Sequence, residues 1–189
     1  MNQRQLGVLS IAVVVAIVAS AITWYALAAS HRLKSASQSP IVGKAQVGQP
    51  APEFAVATTG GPFDLKSTDR PVFLEVFATW CPHCQRETGV IDRLYQHFKG
   101  RVDFVGVSGS DTGMDGTTAA SQLDVLNWAQ KFNVRYPIAY DASLDVANNY
   151  LQGGFPTLVV IGKDKNVAYL NSGEVSYNDL AAALQKALK

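Results

Sequence analysis

Cysteine is the scarcest chemistry-bearing residue type in this chain: two among 189 residues, beside three histidines. Two cysteines cannot build a disulfide framework. One Cys-x-x-Cys with His83 or His97 also falls short of the four ligands of a closed zinc site. Strong charge of one sign is missing as well. The formal net charge is +1. All 15 acidic residues lie beyond Lys44, which leaves residues 45–189 at about −3. That balance carries no electrostatic footprint for nucleic acid. Internal repeats and low-complexity tracts are absent. Asp111 and Asp115 stand in a Gly-rich loop without the spacing of a calcium loop, and read as solvated charges.

Charge is also absent from Leu6 to Ser30, and Leu9–Ile22 is almost wholly apolar. A run of about 24 residues suffices to span a bilayer with some tilt. Trp24 and Tyr25 sit near its end, where interfacial aromatics belong. Residues 1–30 therefore read as a single transmembrane anchor. The alternative is a signal peptide cleaved near Ala28, because Ala26-Leu27-Ala28 has the small-x-small form of a cleavage site. Arg4 before the run and Arg32 and Lys34 after it leave orientation undecided by charge. Both readings commonly send the following domain outward, so it is expected outside the cytoplasm, in a generally oxidising compartment. Residues 31–46, rich in Ser and Ala, read as a linker. Residues 47–189 are the length of one compact domain.

Within that domain, Phe54–Ala57 and Phe63–Leu65 are expected as short extended pieces among Pro and Gly. Pro71–Ala78 is short, mostly apolar and rich in β-formers, as a central strand buried on both faces should be. A helix begins at Pro82, where a missing N–H costs nothing. Cys84, Ile91, Leu94, Tyr95 and Phe98 recur on one face of it. Val102–Val107 is a second apolar strand, giving a βαβ unit with a parallel pair. A helix over Ser121–Phe132 follows, with Leu123, Leu126, Trp128 and Ala129 apolar. A short strand within Tyr136–Tyr140 and a short helix over Leu144–Leu151 come next. Thr157–Ile161 and Asn166–Leu170 form a hairpin, and Tyr177–Leu188 closes as an amphipathic helix. Asp141, just before the short helix, reads as its cap or a turn residue.

The two cysteines lie in Trp80-Cys81-Pro82-His83-Cys84, between the central strand and its helix. That arrangement is a redox dithiol. A thiolate, not a thiol, attacks a disulfide, and Cys81 stands at a helix N-terminus where an anion is favoured. His83 is within reach to add a donor or a positive charge. Cys84 lies on the apolar stripe and should be less exposed. Cys81 is thus expected to attack and Cys84 to resolve the mixed disulfide, with Cys81–Cys84 as the redox-active disulfide. Glu75, the one charged residue inside the central strand, is the candidate acceptor for the proton of Cys84. Burial should raise its pKa toward the working pH. The alternative is a Glu75 that faces a sheet edge and solvent. Trp80 is expected to shield the dithiol and join a docking surface, or to fill the core rim.

These residues resemble the thioredoxin superfamily: Phe77-Ala78-Thr79-Trp80-Cys81-Pro82-His83-Cys84, the acid six residues before the first cysteine, and Gly154-Phe155-Pro156-Thr157. The resemblance implies a thioredoxin-like α/β fold. A central mixed β-sheet would be flanked by helices, with an N-terminal extension and a short central αβ insert. It also implies that Pro156 is cis and packs beside the dithiol, and that Phe155 and Thr157 border the substrate groove, with the Phe155 backbone pairing an extended substrate. Val47-Gly48-Gln49-Pro50-Ala51-Pro52-Glu53-Phe54 and the insert leading to Asp141 are most similar to membrane-anchored TlpA/ResA-like thiol-disulfide reductases. No cofactor and no metal are expected. That likeness implies client proteins bearing disulfides or thiols, for example in cytochrome c maturation, and a membrane electron carrier as partner.

Leu74-Glu75 and Pro82-His83 instead resemble DsbA-type oxidases, so an oxidase or isomerase direction stays open. A non-enzymatic binding or metal-delivery module is the remaining class. Two residues, not three, separate the cysteines, unlike a Sco-type copper chaperone. Ala78, not Thr, stands three residues before Cys81, unlike a peroxiredoxin.

Overall fold

The computed structural model describes residues 43–189. Over them the chain forms β1 (Ala55–Thr58), β2 (Gly61–Asp64), β3 (Val72–Phe77) and α1 (Pro82–Phe98). β4 (Asp103–Ser108), α2 (Gln122–Lys131), β5 (Ile138–Tyr140) and α3 (Asp145–Tyr150) follow. β6 (Thr157–Ile161), β7 (Val167–Ser172) and α4 (Tyr177–Ala187) close the domain. The seven strands make one mixed sheet in the order β2-β1-β5-β4-β3-β6-β7. β3 runs parallel to β4 and antiparallel to β6, which puts it inside the sheet, next to the middle strand β4. Every residue of β3 is buried, as its run, apolar but for Glu75, leads one to expect.

Side chains of a strand alternate between faces, and β3 divides the core accordingly. Phe73 and Phe77 face one side, with Cys84, Ile91 and Leu94 of α1, Trp128 of α2 and Leu180 of α4. Val72, Leu74 and Val76 face the other, with Val146 and Tyr150 of α3 and the N-terminal segment. Burial of each such side chain contributes about 1.5–3 kcal/mol. Trp128 belongs to the core and stacks on Phe77, with ring centroids 4.2 Å apart. On α2 only Val125 and Trp128 turn inward. Leu123 and Leu126 stay 64% and 43% exposed, because these two claim the side that meets the sheet.

The linker expected over residues 31–46 ends earlier than its composition implied. Gly43 N–H donates to Leu151 O (2.6 Å) and Ala45 N–H to Asn149 O (2.9 Å), and Ala45 is buried. A Cβ at Gly43 would lie 2.5 Å from Asn149 O, so only glycine allows this approach. The expected anchor over residues 1–30, and most of that linker, lie outside the described residues. Among the described residues, no helix is long and apolar enough to cross a membrane.

Asp141 caps α3: Oδ2 accepts from Val146 N–H (2.8 Å) and Oδ1 from Ser143 N–H (3.1 Å). The remaining strands and helices fall within a few residues of their expected bounds.

Candidate active site

The junction of β3 with α1 sets the dithiol at the end of the central strand. Cys81 is the N-cap of α1 in extended conformation, and Pro82 opens the helix. Both thiols are free, and both are buried: Cys81 is 4% exposed and Cys84 not at all. The bond Phe155–Pro156 is cis. Cys81 Sγ lies 3.5 Å from Phe155 O, so the loop before β6 covers the sulfur from the far side. Trp80 is 38% exposed; its indole N–H donates to Ser110 Oγ (2.9 Å), and its ring meets Phe155 edge-on at 6.0 Å.

Glu75 sits between Phe73 and Phe77 in sequence and shares their face of β3, toward α1. It is fully buried, which overturns the edge-facing alternative. Oε2 accepts from Tyr136 Oη–H (2.7 Å), while Oε1 has no hydrogen-bond partner among the described residues. Burial pushes the carboxyl up to about 8, against the pull of the Tyr136 hydroxyl, and the nearby Glu87 adds to the rise. Burial likewise pushes the Cys84 thiol up, with the neighbouring Glu75 charge as the next cause. The two groups are thus close enough to oppose each other's ionisation.

Two expected site residues are placed differently. Thr157 does not line a groove: it is fully buried, its hydroxyl donates to Gly154 O (2.9 Å) and accepts from Gln152 N–H (3.1 Å). It fastens the loop carrying Phe155 and Pro156, because a hydroxyl so buried must find local partners. His83 is engaged by Glu174 and not by Cys81. Its Nδ1 lies 2.6 Å from Glu174 Oε1 and 2.8 Å from Arg86 Nη2. One nitrogen cannot donate to Glu174 and accept from Arg86 at once, so the tautomer selects the partner. Arg86 Nε also reaches both Glu174 oxygens (3.1 and 3.3 Å), and together they hold that carboxyl below the usual range.

Glu87, Tyr136, Arg86 and Glu174 complete the site and were not expected from the sequence. Glu87 lies three residues after Cys84 and is only 2% exposed. Burial raises its carboxyl to about 7, and Val175 N–H donates weakly to it (3.4 Å). Helical spacing from Cys84 could have flagged it. Tyr136 and Glu174 lie 61 and 91 residues from their partners, and no local pattern announces them.

A profile described as Redoxin matches residues 46–185. The chain belongs to the Redoxin family. Its domain is similar to thiol-disulfide oxidoreductase ResA of Bacillus cereus (strain ZK / E33L), 29% identical over 146 residues, covering 76% of this chain and 79% of that one. ResA of Bacillus subtilis (strain 168) is 28% identical over 134 residues, covering 68% of this chain and 69% of that one. Among solved structures, a putative thiol:disulfide interchange protein DsbE from Chlorobium tepidum shares the fold. Its TM-score is 0.64 at 19% identity, covering 77% of this chain and 99% of that one. This Redoxin domain is therefore a thioredoxin-superfamily domain of TlpA/ResA-like kind.

Proposed function

We propose that this thioredoxin-like oxidoreductase reduces disulfides in extended segments of client proteins. The observation that carries the reading is the pair of free thiols on a single helix turn, Cys81 as its N-cap and Cys84 within it. Cys81 lies beneath the carbonyl that precedes a cis proline, and Cys84 is buried beside a carboxyl with one unengaged oxygen. The Cys81 thiolate attacks one client sulfur and forms a mixed disulfide, and the other client sulfur leaves as a thiolate. Cys84 gives its proton to Glu75 Oε1 and attacks Cys81 Sγ. The client sulfur bonded to Cys81 leaves as the second thiolate, two electrons have passed to the client, and Cys81–Cys84 is a disulfide. Trp80, Pro82 and Phe155 border the reacting sulfurs.

The reducing direction rests on the environment of the thiols. Burial, and next the Glu75 charge, disfavour an anionic Cys84, so no Cys84 thiolate stabilises the reduced form. His83, the residue that would favour the opposite direction, is occupied by Glu174. A second reading, disulfide introduction, rests on Leu74-Glu75 and Pro82-His83, which resemble the same positions of DsbA-type oxidases. The uncharged run from Leu6 to Ser30 supports tethering of the domain at the outer face of a membrane. There a membrane dithiol carrier would return it to the reduced form, and cytochrome c maturation is one process that needs such a reductant.

Reduction of insulin by the reduced protein, and the reduction potential of the Cys81–Cys84 couple, test this directly. Expected are turnover abolished by Cys81→Ser and a potential nearer thioredoxin's (about −270 mV) than DsbA's (about −120 mV). Turnover retained in Cys81→Ser would overturn the catalytic assignment. A potential near the oxidising end would overturn the direction.

A further inference from the structure

We propose that Tyr136 is the positioning residue that makes Glu75 a usable proton acceptor, and that Gly106 keeps open the space through which it reaches. The proposal rests on the reading of Glu75 given above and deepens it.

Glu75 pairs across the sheet with Gly106 of β4 on one side and Leu158 of β6 on the other. Neither neighbour can donate a side-chain hydrogen bond. The donor comes from one strand further out: Tyr136 lies just before β5 and is only 2% exposed. Its ring passes over Gly106 to put its hydroxyl 2.7 Å from Glu75 Oε2. A Cβ at Gly106 would stand 3.1 Å from Tyr136 Cε2, 3.1 Å from Ile138 Cγ2 and 3.5 Å from Glu75 Oε2. Glycine inside a strand weakens it, and here the close approach of the tyrosine ring is what the missing side chain permits.

The hydroxyl is a donor that burial keeps protonated, since ionisation of Tyr136 is disfavoured by burial and by the Glu75 charge. It can therefore support the carboxylate without competing for its proton. It holds Oε2 and leaves Oε1 unengaged. The other titratable groups facing this carboxyl come from α1: Cys84 and Glu87, with Asp92 beyond Tyr136. Glu87 opposes ionisation of Glu75, Cys84 and Glu75 oppose each other's, and Asp92, paired with Arg135, acts on Tyr136. Of the groups that act on Glu75, Tyr136 is the one that favours its ionised form. A hydrogen bond to a charged group is worth more than one pKa unit, so its removal should move Glu75 out of the range where it works.

The test is stopped-flow reaction of the reduced protein with a nitrobenzoate aromatic disulfide from pH 5.5 to 9.5. A first coloured thiolate reports attack by Cys81, and a second reports resolution by Cys84. Expected is a resolution midpoint in the wild type set by Glu75. Tyr136→Phe should leave the first phase unchanged. It should move the second midpoint up by about one unit and slow resolution about tenfold at pH 7. Gly106→Ala, by displacing the ring, should shift the midpoint in the same direction, and it carries the test alone should Tyr136→Phe not fold. Glu75→Gln should abolish the midpoint. A wild-type midpoint in Tyr136→Phe, or in Gly106→Ala where Tyr136→Phe does not fold, overturns the proposal. If Glu75→Gln loses the midpoint in that same experiment, the Glu75 reading survives its failure. A midpoint retained in Glu75→Gln overturns both.

Discussion

Glu75→Gln is expected to stabilise the reduced protein at neutral and alkaline pH while it slows exchange. The carboxyl has an ordinary value of 4.5, and burial raises it to about 8. Well below 4.5 it is protonated in the folded and unfolded chain alike, and its contribution does not change with pH. Between 4.5 and about 8 the unfolded chain has released this proton and the folded chain retains it. Each pH unit in that window lowers stability by about 1.4 kcal/mol. The loss reaches roughly 3 kcal/mol at pH 7 and about 5 kcal/mol once the pH passes the folded value. Against a typical domain stability of about 5–15 kcal/mol, that is a large penalty at one residue.

Glutamine has the same shape and no proton to lose. Its carbonyl oxygen can accept the Tyr136 hydroxyl. Its amide stands where Oε1 now has no partner, at a cost of about 1–3 kcal/mol that the protonated carboxyl bears in the same place. Urea unfolding of the reduced proteins from pH 5 to pH 9 measures the difference. Glu87, raised to about 7, gives both proteins a slope of the same sign, so the gap between the two curves is the readout. The gap should widen steadily up to about pH 8 and then stay constant. Parallel curves across that window would refute the reasoning, because the buried carboxyl would then not be holding its proton.

Cys84→Ser should trap the mixed disulfide between Cys81 and a client, seen as a thiol-sensitive adduct by mass spectrometry; an adduct on Cys84 in the reciprocal Cys81→Ser variant would reverse the assigned roles. Glu174→Gln should release His83 and Arg86 toward Cys81, stabilise its thiolate and raise the reduction potential slightly. The rise should vanish at high salt, since these groups are exposed; an unchanged or lower potential at low salt contradicts it. Asp141→Ala removes the acceptor for Val146 and Ser143 N–H and should cost about 1–2 kcal/mol in urea unfolding, with a change of only a few tenths counting against the cap.

The readable parts of this protein are those encoded by short-range pattern. The mostly apolar run of β3, the 3.6-residue stripe of α1 and the turn chemistry around Pro156 each depend on neighbours a few residues away. So does the spacing that puts Cys81 at a helix start and Cys84 on its buried face. Glu75 could be picked out because a charge in such a strand requires compensation. The residue that compensates it could not: Tyr136 reaches Glu75 over a glycine on the intervening strand, a meeting created by sheet order. Likewise His83 reads as a partner for Cys81 from its position one turn away. The turn between β7 and α4 brings Glu174 beside it and draws the ring off. Thr157 reads as groove and turns out to be a loop fastener for the same reason. Local sequence determined that this chain carries a dithiol at a helix start, on a thioredoxin-like sheet. Only the packing of distant strands decided which charges face that dithiol, because electrostatic partners in a folded core are chosen by proximity in space and leave no periodic trace along the chain.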